Sequence, residues 1–256
     1  MGGDGGVVLT FLDVGQGDAI AVQSPEGNVA LIDAGNDAEI VPLLQAMQIH
    51  AVDLVIASHL DFDHIGGIAS VIRTFPVQHY MDNGVRGQSG SYQDLMWTLQ
   101  QAEVGYLPAV RQTIQLGSVS LTILPPPGWN RTSNDESIGV LVEYGEFRAL
   151  LTGDSEVDEL NYFLDLGVPK VTVLKAAHHG ARNGVTPRWL DVTRPDVVVI
   201  SSGANNAYGH PDPWALRFYE AVASELYRTD LHGHIGIVGE RDGSYKVSIE
   251  RGVPAH

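Results

Sequence analysis

The first half of the chain alternates between short apolar runs and longer segments in which apolar residues recur every three or four positions. Turn sequences such as Gly15-Gln16-Gly17 and Pro25-Glu26-Gly27 separate the first runs, which predicts an antiparallel meander. The longer segments have the periodicity of amphipathic helices. The predicted strands are 7–12, 19–23, 29–32, 52–57 and 77–81, and the predicted helices are 37–48, 66–74 and 92–103, the last with Ser91 as its cap.

The second half shows the same alternation without a close sequence repeat. Proline suits the first position of a helix, so helices are predicted to begin at Pro187 and Pro213. Two similar halves, each a sheet with its helices, predict an α/β fold in which two sheets pack face to face with helices outside. The other predicted elements are strands 119–124, 138–144, 147–152, 171–176, 197–201, 236–238 and 245–249 and a helix at 156–166.

A length of 256 residues and a hydrophobic content of 44% allow a large core, and no linker divides the chain. We expect one domain over 7–252, preceded at 1–6 by a flexible lead-in or an expression scar. The sequence contains no apolar run of about 18 residues and no signal-like leader, so a soluble domain without a membrane span is expected. Because cysteine is absent, histidine and carboxylates are the candidate metal ligands.

The net charge of −16 disfavours broad electrostatic binding of nucleic acid, whose affinity normally comes from Lys and Arg contacts to phosphate. A pair of divalent cations would reverse the field locally. The acidity is therefore compatible with a phosphate substrate that is bound at a metal site.

The segment Ser58–His64 carries four candidate ligands in six residues, directly after an apolar strand. In an extended chain His59, Asp61 and Asp63 point to the same side, and a glycine-rich turn then brings His64 round. No Lys or Arg lies nearby in sequence, and burying unpaired charge is costly. The segment predicts half of a two-metal site, with an ordinary polar loop as the alternative.

Two further strands end in candidate ligands. Asp154 follows the run 147–152 at a glycine turn and is the candidate bridging ligand, with a helix N-cap as its ordinary role. His178 and His179 follow the run 171–176, and adjacent side chains point in different directions. We therefore expect only one to bind metal directly, with His178 preferred and His179 the near alternative.

A loop rich in hydrogen-bonding groups follows the strand 197–201 and supplies candidate substrate contacts at Asn206 and Tyr208. His210 in the same loop suits contact with a phosphate or protonation of a leaving oxygen, with turn packing as the alternative. Asn134 and Ser137 precede another strand and could line the same rim, although ordinary turn chemistry explains them equally well.

Three carboxylates lie in the loops around these motifs. Asp13 and Asp18 flank a glycine-containing turn, and Asp33 follows an apolar run. Carboxylates behind a metal site commonly hold ligating histidines in place, so we expect these three to shape the loops around the site and not to bind metal themselves.

Taken in order, the segments resemble the metallo-β-lactamase superfamily and, within it, the soluble C-terminal domain of the ComEC family of DNA-uptake competence proteins. The resemblance covers nearly the whole chain. It implies an αββα sandwich, with two mixed β-sheets flanked by helices and a metal site at one sheet edge. The motifs that carry it are Phe11–Ala19, Leu31–Gly35, Asp63–Gly67, Leu151–Asp154, His178–Gly180, Tyr208–Pro211 and Tyr227–Asp230.

The resemblance also implies two divalent metal ions. Asp61 stands where the superfamily's usual motif has histidine, and additional oxygen donors shift preference from zinc towards manganese, so Mn²⁺ or Zn²⁺ is expected. Ala181 stands where this family often has serine. The expected ligands are His59 and Asp61 for one ion, Asp63, His64 and His178 for the other, and Asp154 between them.

The function expected is that of a metal-dependent phosphodiesterase, a nuclease acting on DNA, with single strands favoured, during uptake in natural competence. A metal-activated hydroxide would attack phosphorus, between ions that typically lie about 3.5–4 Å apart. Asp63 and His210 are the expected catalytic residues. In the resembled family the domain belongs to a larger membrane protein and faces the extracytoplasmic side. The alternatives are a phosphodiesterase of cell-envelope phosphocholine or a small diester, and a non-catalytic docking module of a DNA transport assembly.

Overall fold

The computed structural model describes residues 5–129 and 132–252, so residues 1–4 of the expected lead-in lie outside the described part. Its strands form two mixed sheets. The strands of the first sheet are β1 (Val7–Phe11), β2 (Ile20–Gln23), β3 (Val29–Ile32), β4 (Val52–Ile56), β5 (Val77–Met81), β6 (Gly105–Tyr106), β14 (Ile235–Gly239) and β15 (Tyr245–Ile249). Those of the second are β7 (Thr113–Leu116), β8 (Val119–Leu124), β9 (Gly139–Tyr144), β10 (Phe147–Leu151), β11 (Val173–Lys175), β12 (Val197–Ile200) and β13 (Glu225–Arg228).

Both sheets change from antiparallel to parallel pairing along their width. The first has the order β15-β14-β1-β2-β3-β4-β5-β6, antiparallel from β15 to β3 and parallel from β3 to β6. The second has the order β13-β12-β11-β10-β9-β8-β7, parallel from β13 to β10 and antiparallel from β10 to β7. Ligands in α/β folds bind outside the carboxyl ends of parallel strands, and the polar loops after β3, β4, β10, β11 and β12 occupy that position.

Helices cover the outer faces of the two sheets. The inner faces pack on each other through a core that contains Phe11 and Phe147. Leu44 and Leu95 pack on the outer face of the first sheet, and Trp189 belongs to a third core, on the outer face of the second. The predicted αββα sandwich is therefore confirmed. The helices are α1 (Ile40–Ala46), α2 (Phe62–Ile65), α3 (Ile68–Thr74), α4 (Gly90–Gln101), α5 (Val157–Asp165), α6 (Pro187–Thr193), α7 (Pro213–Val222) and α8 (Thr229–His232).

Helices α6 and α7 begin directly after residues whose side chains cap them. Thr186 accepts a hydrogen bond from the backbone of Trp189, and Asp212 caps α7, as the predicted proline starts require. The cap of α4 is Ser89 and not the predicted Ser91. Three strands escaped prediction: β6, β7 and β13. All three lie at sheet edges, where half-exposed strands need less apolar sequence.

Candidate metal centre

The first ligand group follows β4. His59 is fully buried beyond the strand, and Asp61 is the half-exposed extended residue that precedes α2. Because α2 begins at Phe62, Asp63 lies in a helical turn, so the expected extended alternation as far as Asp63 is wrong. The turn places Asp63 and the buried His64 in the candidate centre by helical geometry.

Side chains from three strand ends converge on the carboxylate of Asp154. Its Oδ2 lies 3.4 Å from Nε2 of His64 and 3.2 Å from Nε2 of His179. Nε2 of His179 is also 3.4 Å from Oδ2 of Asp63. His59 completes a donor group with His64 and Asp154, whose ligand atoms all lie within 4.8 Å of one another. Asp154 is thus central to the cluster, as a bridging ligand would be.

The hydrogen bonds behind the histidines leave Nε2 of each ring free for a cation. His64 donates from Nδ1 to Asp33 at 2.8 Å, and His179 donates from Nδ1 to the carbonyl of Ser201 at 3.0 Å, since a carboxylate and a carbonyl can only accept. Nδ1 of His59 lies 3.1 Å from the Ser58 hydroxyl oxygen. Among the described residues, Nε2 of all three histidines is buried without a hydrogen-bond partner.

These donors fit a divalent metal ion. Two ligands at about 2.0–2.2 Å from a tetrahedral ion lie about 3.3–3.6 Å apart, close to the separations of 3.2 and 3.4 Å measured here. Buried polar atoms are normally satisfied, so three unpartnered imidazole nitrogens around carboxylates indicate a site suited to a cation. The described residues supply the donor groups for such an ion.

Asp33 and Ser58 support the histidines from behind. Asp33 is fully buried and accepts from the backbone N–H and the hydroxyl of Ser58, both at 2.7 Å, in addition to its bond from His64. This carboxylate fixes the tautomer and orientation of His64, which is the role expected of it. Asp33 itself has a left-handed backbone, with φ of 58°.

A buried lysine partly compensates the negative charge of the carboxylates in the centre. Lys175 is fully buried at the end of β11, forms an ion pair with Asp18, donates to the carbonyl of Gly153 at 2.9 Å and lies 3.7 Å from Asp154. The sequence has no Lys or Arg next to residues 58–64, and Lys175 was not predicted to approach them because it belongs to a distant strand. A single charged residue in the apolar run 171–176 was the available signal.

The electrostatic field of the centre favours positive charge. Burial by itself lowers the pKa of His64, but the carboxylates of Asp154 and Asp33 outweigh it and hold the pKa well above its ordinary value. The pKa of His179 is likewise raised well above its ordinary value, because Asp154 outweighs the effect of burial. Burial would raise the pKa of Asp154, yet the two histidines hold it well below the usual range. The same field attracts a divalent cation, which would displace the protons.

The structure brings His179, and not the preferred His178, into contact with the carboxylates. His178 is partly exposed, with Nε2 3.9 Å from Asp154 and 3.4 Å from the amide nitrogen of Asn134. Both histidines have left-handed backbones, with φ of 51° and 52°, so the pair leaves strand geometry altogether. Such strained backbones are concentrated at functional sites.

The loop after β12 forms the opposite side of the pocket. Asn206 accepts from the backbone N–H groups of Tyr208 and His210 and donates to the carbonyl of His210, so it organises the loop and does not point at a substrate. Tyr208 and His210 line the pocket, and their rings lie nearly parallel with centroids 6.0 Å apart. Burial, followed by the neighbouring His178, lowers the pKa of His210.

Ser137 lies elsewhere than predicted. Ser137 is fully buried beneath the rim, where its hydroxyl accepts from the backbone of Asp154, because the start of β9 turns it inward. Asp13 accepts a hydrogen bond from the backbone N–H of Gly15 at 3.2 Å, in the turn that it was expected to shape, and forms an ion pair with Arg251. Asn134 lines the pocket as expected, and Gln16 is a lining residue that sequence reasoning missed.

The profile of the Metallo-beta-lactamase superfamily matches residues 12–204, and the chain belongs to this superfamily. The chain is similar to ComE operon protein 3 of Bacillus subtilis, with 26% identity over 254 residues that cover 89% of this chain and 32% of the relative. Competence protein ComA of Neisseria gonorrhoeae is 29% identical, over 88% of this chain and 31% of the relative. The expected resemblance to competence proteins is confirmed, and the chain spans about a third of their length.

Solved structures confirm the fold. The metallo-beta-lactamase fold protein YhfI of Bacillus subtilis superposes with a TM-score of 0.57 at 12% identity, over 95% of this chain and all of that one. CmlA, a diiron beta-hydroxylase from Streptomyces venezuelae, superposes with a TM-score of 0.55 at 16% identity, over 91% of this chain and 54% of that one. Within residues 5–129 and 132–252, no helix is long and apolar enough to cross a membrane.

Proposed function

We propose that this chain is a metal-dependent phosphodiesterase that hydrolyses DNA, with single strands favoured, and that it binds two divalent ions, Mn²⁺ or Zn²⁺. The observation that carries the proposal is that Nε2 of His59, His64 and His179 faces carboxylates beneath an open pocket and, among the described residues, is buried without a hydrogen-bond partner. We assign His59, Asp61 and Asp154 to one ion and Asp63, His64 and His179 to the other, with Asp154 within reach of both.

When bound, such ions lower the pKa of water and neutralise charge on phosphoryl oxygens. The chain's own groups prepare the site for a diester. Burial lowers the pKa of His210, which favours its neutral form, and its Nδ1 has no hydrogen-bond partner in the described part of the chain. A phosphate beside it would restore the proton, which suits His210 to bind a phosphate oxygen or protonate the leaving oxygen. The amide of Asn134 lines the same pocket.

DNA is proposed as the substrate because the chain resembles the ComEC family of DNA-uptake proteins and because its relative in Neisseria gonorrhoeae is named Competence protein ComA. The chain covers about a third of these relatives, which supports a place in a larger protein. We propose that this larger protein is a membrane protein for DNA uptake, with this domain on the extracytoplasmic side. The donor groups argue against a role as a non-catalytic docking module, since a purely structural site has no need for unpartnered buried imidazoles.

A small phosphodiester is the second candidate substrate. The pocket above the metal centre has a volume of about 210 Å³, below the range of about 300–1,000 Å³ for typical ligand sites. A pocket of this size admits a phosphodiester group but not a whole nucleotide. A compact diester, such as a phosphocholine ester, would therefore also fit.

The proposal is tested by stripping the protein of metal, reloading it with Mn²⁺, Zn²⁺ or Mg²⁺, and measuring cleavage of labelled single-stranded DNA, duplex DNA and a chromogenic diester. Asp63→Ala and His179→Ala should each abolish cleavage, because each removes a donor from the cluster. His79→Ala, on the exposed face of β5, is the matched control and should retain full activity. Undiminished cleavage by Asp63→Ala, or no metal-dependent turnover of any diester by the wild type, would contradict the proposal.

A further inference from the structure

A second, larger groove adjoins the pocket above the metal centre. It has a volume of about 720 Å³, enough for a nucleotide, and its surface is mainly apolar. The two cavities share His178, Tyr208 and His210 as lining residues. The groove extends from there along the starts of α6 and α7, so a polymer whose phosphate lay in the small pocket would continue into it.

Aromatic rings and one cation line this groove. Tyr208 is 70% exposed, although its loop is fixed by the hydrogen bonds of Asn206. Trp214 lies at the start of α7, and the guanidinium carbon of Arg182 is 5.0 Å from the centroid of its ring. The exposed Tyr208 ring is therefore presented in a defined position, which lowers the entropic cost of stacking on it.

The charge of the groove suits a phosphate. Arg182 is exposed and forms no ion pair with a carboxylate of the described residues. Asp212 also lines the groove, but its Oδ1 accepts from the backbone of Trp214 at 2.7 Å as the cap of α7. In a chain of net charge −16, an unpaired guanidinium beside the proposed active site is a local contact for an anion.

We propose that this groove binds a single-stranded nucleic acid next to the phosphate at the metal centre, with a base stacked on Tyr208 and a neighbouring phosphate bound by Arg182, which packs on the ring of Trp214. The inference rests on the proposed function, because it describes how that site takes its substrate. Proteins bind single strands by combining a basic groove with aromatic platforms, since every base has a stacking face. The paired bases of a duplex cannot stack on the Tyr208 ring, and the acidic surface disfavours a duplex.

The test is fluorescence anisotropy with metal-loaded protein and a labelled oligothymidylate of hydrolysis-resistant phosphorothioate linkage, compared with an abasic strand of the same length and linkage. The wild type should bind the oligothymidylate at least about fivefold more tightly than the abasic strand. Tyr208→Ala should remove most of this preference. Arg182→Gln should reduce the slope of log Kd against log salt by about 0.7, the value for one phosphate contact of a single strand.

The control is Arg241→Gln, which changes the net charge equally but lies in the turn between β14 and β15, against Tyr144. Equal binding of both strands by the wild type, or a salt slope of Arg182→Gln equal to that of Arg241→Gln, would overturn the inference. Turnover of a chromogenic diester by the wild type tests the proposed function separately. Turnover of the diester with equal binding of the two strands would overturn only the proposal that the groove binds bases. Tighter binding of the oligothymidylate without turnover would support that proposal and contradict the proposed hydrolysis.

Discussion

Replacing Asp33 with asparagine should weaken metal binding although Asp33 does not face the metal centre. The carboxylate accepts from the backbone and the hydroxyl of Ser58 and from Nδ1 of His64, at 2.7, 2.7 and 2.8 Å. With the proton held on Nδ1, Nε2 of His64 presents its lone pair towards Asp154, 3.4 Å away. The metal affinity of His64 therefore depends on a residue behind it.

An asparagine at this position has one acceptor oxygen and one donor NH₂ group. If the oxygen keeps the backbone N–H of Ser58, the NH₂ group faces Nδ1 of His64 and selects the tautomer with its proton on Nε2, which cannot bind metal. Loss of such a partner costs about 10–100-fold in metal affinity, or about 1.4–2.7 kcal/mol. A lost hydrogen bond to a charged group should also lower the free energy of unfolding by about 1.5–3 kcal/mol.

The assay is the Kd for Zn²⁺ and Mn²⁺, measured on metal-stripped protein by competition with a chromophoric chelator. Asp53→Asn is the matched control, because Asp53 also accepts a backbone N–H, that of Val29 at 2.8 Å, but lies at the far end of β4. Its Kd should equal that of the wild type. If folded Asp33→Asn protein bound metal as tightly as Asp53→Asn, the reasoning would be refuted.

Gly17→Ala should abolish metal binding, because Gly17 has a φ of +129° and an added Cβ would lie 2.1 Å from the carbonyl oxygen of Asp63. The control in the same chelator assay is Gly15→Ala, whose Cβ meets nothing within 4 Å, and equal metal affinities of the two variants would contradict this prediction. Burial raises the pKa of Glu159 to about 9 from 4.5, so the folded protein keeps a proton that the unfolded chain loses, and stability falls as pH rises between these values. Between pH 6 and pH 8, urea unfolding should show that the wild type loses up to about 1.4 kcal/mol of its free energy of unfolding per pH unit, and that Glu159→Gln does not. The same pH dependence in both proteins would contradict this prediction. Lys175→Met should lower the free energy of unfolding by about 3–5 kcal/mol, because it leaves the buried carboxylate of Asp18 without its ion pair. An unchanged urea midpoint would contradict this prediction.

The layered fold could be predicted from sequence because its central strands are buried on both faces. Runs such as 54–57 and 197–200 are continuously apolar, and proline with Thr186 or Asp212 marks helix starts. The edge strand β13, Glu-Leu-Tyr-Arg, lacks such a signal, since one side of it pairs and the other faces solvent. Local pattern therefore identified the interior of each sheet better than its margins.

The candidate site was predictable in its residue types but not in its local geometry. Strand-end position and composition pointed to His59, His64 and Asp154, all of which converge. The choice between His178 and His179 depends on two left-handed residues in a row, which no periodic pattern predicts. Contacts from distant segments, such as the approach of Lys175, depend on the tertiary fold and are not encoded in local spacing.

The central claim is that side chains from separate strand ends surround a pair of divalent cations. Anomalous diffraction from crystals grown with Mn²⁺ tests it most directly. The account predicts two anomalous peaks about 3.5–4 Å apart, with Asp154 between them and Nε2 of His59, His64 and His179 as ligands. Absence of any anomalous peak among these side chains, in crystals grown with Mn²⁺ in large excess over protein, would contradict the account.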